Sequence, residues 1–308
     1  MTVSGGEVGS FFRAFTGSEV DISGGTFGLG TFFQNGSTVV VSGGRFGSSV
    51  SIDADSDAQL VGGEFKLNGQ AFTDSTITLT DRDVFTGTLA DGTTFIFDRE
   101  ERDFISDLAL TNTALAAIRT DPIVVDSADF SGRNAGLRAG ERLILRDGGE
   151  LGNTFEVVEG TIDVEGGNVG DAFSVVFGTA NISGGNIGEQ FTAGVGSEVN
   201  ISGGEFGSFG ANLNSSVNLT GTEFFIDGVE LDLIEGDLFA VTDRNIVLSG
   251  TLLDGSDFEF FLDSNLTDQF FDPTASVSLA VVAAVPEPSG LAMLFACGVS
   301  GLLVRRRK

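Results

Sequence analysis

Histidine, tryptophan and tyrosine are all absent from this 308-residue chain, and cysteine occurs once. Without imidazole the commonest general base and transition-metal ligand is gone, so Ser-His-Asp and Cys-His catalysis are excluded. Cys297 has no second cysteine to pair with inside the chain, so disulfide chemistry says nothing about compartment. Only 4 prolines interrupt the chain. Basic residues number 16 against 44 acidic ones, for a formal net charge of −28. A surface so negative repels phosphate backbones and attracts divalent cations diffusely, which argues against any nucleic-acid partner.

What is present is phenylalanine and glycine. Hydrophobic residues make up 41% of the chain, enough for a buried core. The 29 Phe and 45 Gly point to short strands separated by small-residue turns rather than to helices. A fixed period runs through both halves. Taking the residue before the double-glycine position as an anchor, a first array reads Ser4, Ser23, Ser42 and Val61, and a second reads Asp147, Glu165, Ser183, Ser202 and Thr220. The column four residues later is apolar in every unit, from Val8, Phe27, Phe46 and Phe65 to Leu151, Val169, Ile187, Phe206 and Phe224. Glycine follows it in most units. A second column holds Phe12, Val50, Phe155, Phe173 and Phe191, and a third precedes each anchor, as in Val39 with Val41 and Val199 with Ile201.

Three apolar stretches per unit, each bounded by small polar residues, read as three strands and three turns. A parallel β-helix stacks such coils about 4.8 Å apart, so that like residues form ladders. A β-sandwich has strands at similar spacing but gives no reason for one column to stay apolar and its neighbour glycine. No phosphate-loop lysine follows the glycine pairs. The expected fold is therefore all-β, a parallel and right-handed β-solenoid of about 19 residues per coil.

A larger duplication sits above the small one. TDRDVFTGTLADGTTFIFD from Thr80 is echoed by TDRNIVLSGTLLDGSDFEFFLD from Thr242, with hairpin turns expected at Asp91-Gly92 and Asp254-Gly255. The expected organisation is two tandem modules: a solenoid array over 1–66, a hairpin-rich ending and connector over 67–125, a second array over 126–225, a second hairpin-rich ending over 226–284, and a tail over 285–308. Such endings would cover the exposed last coil. A short helix is expected around Thr113 to Arg119. The second array has a lead-in that the first lacks, and no charged and apolar leader precedes Met1. The expectation is that a secretory signal and at least one further coil lie upstream.

The last residues read AVPEPSGLAMLFACGVSGLLVRRRK. At about 1.5 Å per residue, a transmembrane helix over 291–304 is short for a hydrocarbon core of about 30 Å and needs help from its flanks. The terminal cations would stay cytoplasmic and leave the rest outside. This order of Pro-Glu-Pro, apolar run and basic cluster resembles the PEP-CTERM sorting signal of Gram-negative bacteria. That resemblance implies recognition by an exosortase, a membrane transpeptidase that removes the tail. It also implies association with exopolysaccharide, biofilm matrix or neighbouring surface proteins. It makes Pro286, Glu287 and Pro288 the recognition element, and Arg305, Arg306, Arg307 and Lys308 the stop-transfer cluster. The ISGG repeats are similar, more loosely, to those of autotransporter-type adhesins and planctomycete surface proteins.

Candidate chemistry is sparse. Asp53, Asp55, Asp57 and Glu64 stand at positions 1, 3, 5 and 12 of a calcium-loop pattern, with Leu60 at its apolar position. Ala58 replaces the glycine that the loop's turn requires, and the second array keeps only Glu223. Weak Ca²⁺ binding stands beside the plainer reading of solvated loop acids, and no other cofactor is expected. Carboxylate-rich β-helices include polysaccharide lyases and hydrolases, which need two carboxyls about 5–9.5 Å apart beside a cleft. The aspartates here drift between units and no long insertion builds cleft walls. The expectation is a non-enzymatic, exported structural or adhesive protein, with a polysaccharide-active enzyme or calcium-binding matrix protein as the alternative.

Overall fold

The computed structural model describes residues 1–47, 49–99, 103–127, 136–265 and 270–282. Every element among them is a β-strand. The chain forms a parallel β-solenoid of about 11 turns with about 19 residues per coil. Each coil has a strand that bends at the double glycine and a short strand after it, as in Glu19–Phe27 and Thr31–Phe33, or Glu198–Phe206 and Phe209–Ala211. The parallel register breaks at the bend, between Ser23 and Thr26, so the long strand serves two faces of the coil.

The expected columns are the inward ladders. Phe27 faces Phe46 one rung on, with ring centroids 4.9 Å apart and planes 16° from parallel. In the second array Val125, Leu145, Val164, Ile182, Ile201, Leu219 and Leu279 follow one another in register over seven rungs. Flat packing of like residues is what a constant rise demands: each side chain meets a copy of its own shape in the layer below. The phenylalanine column runs further than its spacing announced. Phe155, Phe173 and Phe191 continue to Phe209, whose ring lies 4.8 Å from that of Phe191, and then to Phe271. Phe209 stands seven residues after its anchor rather than eight. The 19-residue coil before it takes up the difference at its corner while the register Phe191 to Phe209 is kept.

Among the described residues the hydrogen-bonded ladders fall into two sets with no shared sheet, one over residues 2–112 and one over 123–281. Each set ends in the same way. The hairpin Val84–Leu89 with Thr94–Asp98 pairs antiparallel to the last long strand, Asp57–Leu67, and Val247–Leu252 with Asp257–Phe261 does so on Ser216–Ile226. The chain then returns for one more parallel rung, Leu108–Asn112 on the first stack and Ser276–Val281 on the second. The first of these rungs, together with Ile123–Val125, which opens the second stack, lies in the segment expected to be a plain connector.

The helix expected at Thr113 to Arg119 does not form. The Thr113 amide donates to the Gly62 carbonyl (2.7 Å), the Ala116 carbonyl accepts from Arg138 (2.8 Å), and the Arg119 amide donates to Glu141 (3.2 Å). A seven-residue segment is too short to repay helix nucleation, and these bonds hold it extended along both stacks instead. The membrane helix expected over 291–304 lies outside the described residues; among those described, no helix is long and apolar enough to cross a membrane.

The stacks touch through the outer face of the first hairpin. Val84 and Ile96 pack on Val176, Val195, Phe177 and Leu213. Arg138 of the second stack grips Glu64 of the first with two nitrogens, at 2.7 and 3.1 Å, and Lys66 pairs with Glu159.

Candidate functional site

The double-glycine corners, stacked rung upon rung, leave a shallow open furrow along each array. In the second it is lined by Gly148, Gly167, Gly185 and Gly204 with Asp147, Asn168, Asn186 and Glu205, and has a volume of about 430 Å³. In the first it is lined by Gly6, Gly25 and Gly44 with Glu7, Thr26 and Arg45, and measures about 410 Å³. Glycine is required because the corner backbone sits at φ of +100° at Gly25 and +103° at Gly204, where a side chain is strained.

Each furrow is closed at one end by the tip of its hairpin. Asp254 accepts from the Gly204 amide at 2.7 Å, and its other oxygen accepts from the Ser256 amide and hydroxyl. Asp91 does the same toward the Gly44 amide at 2.9 Å and the Thr93 amide at 2.8 Å. The preceding corner glycine is fitted to this contact: a Cβ on Gly203 would sit 2.5 Å from Asp254 Oδ2. The aspartates were legible as turn residues, but their hold on corners 47 and 50 positions away was not. Only the repetition of DG at matching places in the two halves signalled it.

Charge along the furrows is mainly negative. The exception is Arg45, which is buried; burial lowers its pKa, and Glu156 across the joint opposes that shift. The furrows are wide, polar and shallow, suited to an extended polar chain lying along the stack rather than to an enclosed small molecule.

The four calcium candidates do not act as one group. Asp53 and Asp55 lie at the turn after Val50–Ile52, where Asp53 accepts from the Asn35 amide at 3.3 Å. Asp57 opens the next long strand, exposed, and Glu64 lies past the corner on that strand, bound to Arg138. Among the described residues no three His, Cys, Asp or Glu side chains converge as a metal set. Pro286, Glu287, Pro288, Arg305, Arg306, Arg307 and Lys308 lie outside the described residues.

One polar feature passed unnoticed in the sequence. Arg142, Asp163, Asn181, Asn200, Asn218 and Ser278 form a hydrogen-bonded ladder up six rungs of the second stack. Each asparagine amide donates to the oxygen of the residue one rung earlier, at 2.8 to 2.9 Å. The spacing of Asn181, Asn200 and Asn218 carried the signal, since it equals the coil period.

With this geometry in view, no protein-family profile matches the chain, and neither curated proteins nor solved structures give a match.

Proposed function

We propose that this chain is an exported structural or adhesive element of the cell surface or extracellular matrix. Its C-terminal signal of the PEP-CTERM type would be processed by an exosortase after transient anchoring through residues 291–304. The observation that carries this reading is the ordered tail: Pro286-Glu287-Pro288, an apolar run, then Arg305 to Lys308. The solenoid supports it. A stack of right-handed coils in two modules, with inward ladders and a hairpin paired to each last long strand, is a stiff spacer that needs no disulfide. Exopolysaccharide or a neighbouring surface protein is the partner this surface suits, and weak Ca²⁺ association accompanies its negative charge.

Fractionation of tagged protein with and without residues 285–308 tests the proposal. The expected result is retention at the cell surface or in the matrix for the full chain and its loss on truncation. Unchanged distribution of the truncated protein would sink the sorting reading.

A second reading, a polysaccharide-active enzyme, draws on one observation: the second furrow gathers Asp147, Glu205 and Asp254 along one open groove. Turnover of uronate polymers by the purified protein, abolished by Glu205→Gln, would favour it over a passive role.

A further inference from the structure

The duplicated hairpins present their outer faces in different ways. In the first, Thr94 and Ile96 point away from their own stack and are covered by the second: Thr94 donates to Glu156, and Ile96 packs on the Val176 cluster. The surface that receives them is the outer face of the second stack's short-strand sheet, which carries Glu156, Ser174 and Val176. One chain thus already contains the docking of a terminal hairpin onto the short-strand face of another solenoid.

Both halves of that contact occur a second time, uncovered among the described residues. The matching hairpin face of the second stack is Asp257, Glu259 and Phe261, all exposed, on a strand whose alternate residues Phe258 and Phe260 are buried. The matching short-strand face of the first stack carries Arg13, Phe32, Ser51 and Phe104 in successive register positions. Arg13 lies over the Phe32 ring at 5.0 Å and Arg99 over the Phe104 ring at 3.8 Å. Phe11, at the margin of this face, is 66% exposed, at the corner where Ser49, Thr154, Ala172 and Gln190 share its positive φ. Among the described residues one exposed face is therefore acidic, and the other combines phenylalanine rings with two arginines, of which Arg99 also pairs with Asp81 at 3.9 Å.

We infer that these two faces bind each other between copies: the terminal hairpin of one molecule seats on the short-strand face of the first stack of the next. The faces differ, so the contact is heterologous. It propagates head to tail into a filament unless the rotation happens to close a ring. Opposite charge sets the register, and the exposed phenylalanines supply the apolar area. This goes beyond the sorting reading and does not depend on it.

The test uses the full chain in mild detergent, so that association through the apolar tail is common to every sample. Sedimentation velocity is measured against concentration for the native sequence, for Arg13→Glu with Arg99→Glu, for Asp257→Arg with Glu259→Arg, and for an equimolar mixture of the two double variants. All four positions lie outside the cores, and circular dichroism checks that folding is kept. The expected result is elongated oligomers of the native chain, association weakened at least about tenfold in each double variant alone, and recovery in the mixture, where reversed face meets reversed face. Native protein that sediments as a monomer throughout, variants that associate as the native chain does, or a mixture that fails to recover would each overturn the inference.

Discussion

At the residue scale, stability rests on like meeting like at a constant rise. Phe173 is buried between Phe155 and Phe191, and its ring stacks on that of Phe191 at 4.8 Å. The asparagine ladder works by the same logic in polar form: Asn200 donates to Asn181 and accepts from Asn218, so every amide has a partner only because the rungs are in register. Asn200→Ala removes both ladder bonds, and a third donated to Glu198 at 3.3 Å, at a half-buried site where water replaces part of the loss. The expected cost is about 1–2 kcal/mol, measured as a shift in urea midpoint with unchanged slope. Among its described residues the first stack has no such ladder, since Val40 occupies the position that Asn181 and Asn200 fill in the second.

At the scale of elements, the hairpins that follow each array do two things at once. They satisfy the edge of the last long strand, and through Asp91 or Asp254 they fasten a tip to the glycine corner of the preceding coil. Asp254→Ala takes the carboxylate from the Gly204 amide and from Ser256 together. Faster hydrogen exchange is expected at the Gly204 amide and across Val247–Leu252 and Asp257–Phe261, with a stability loss of about 1–3 kcal/mol, while exchange in Thr179–Ile187 stays as in the native protein. Uniform exchange across the second stack would show that the tip contact carries no local stability. Both hairpins were legible from their Asp-Gly turns, at Asp91-Gly92 and at Asp254-Gly255. What local pattern did not reveal is that Thr94 and Ile96 of the first hairpin are covered by the second stack.

At the scale of the whole molecule, two separate cores meet through a contact rich in charge. Glu64 is its centre. The hydrogen bond from Arg138 holds its carboxyl below the ordinary value of 4.5, against an opposing effect of partial burial. A depressed folded pKa means that this contribution is fully present above about pH 4.5 and is lost as the pH falls through the folded value. Because the carboxylate is 41% exposed, solvent screening keeps the effect small. Glu64→Gln at neutral pH leaves the nearly buried Arg138 guanidinium without its counter-charge. Faster hydrogen exchange is expected in Thr94–Asp98 and around residues 113–119, with Glu19–Phe27 unaffected, and acidification of the native protein should reproduce the pattern. A uniform loss of protection would instead mean that the two stacks unfold as one.

The coil, its period, its inward columns and the hairpin turns were legible in the order of residues, because each is decided within about twenty positions and then repeated. Repetition turns local preference into long-range contact: once Phe27 faces inward, a constant rise places Phe46 upon it. The extra rung after each hairpin, the extended run at 113–119, the grip of Arg138 on Glu64 and the furrow-closing role of Asp91 and Asp254 were decided only by tertiary structure. Each joins residues that no fixed spacing relates, so their partners exist only after the stacks have formed.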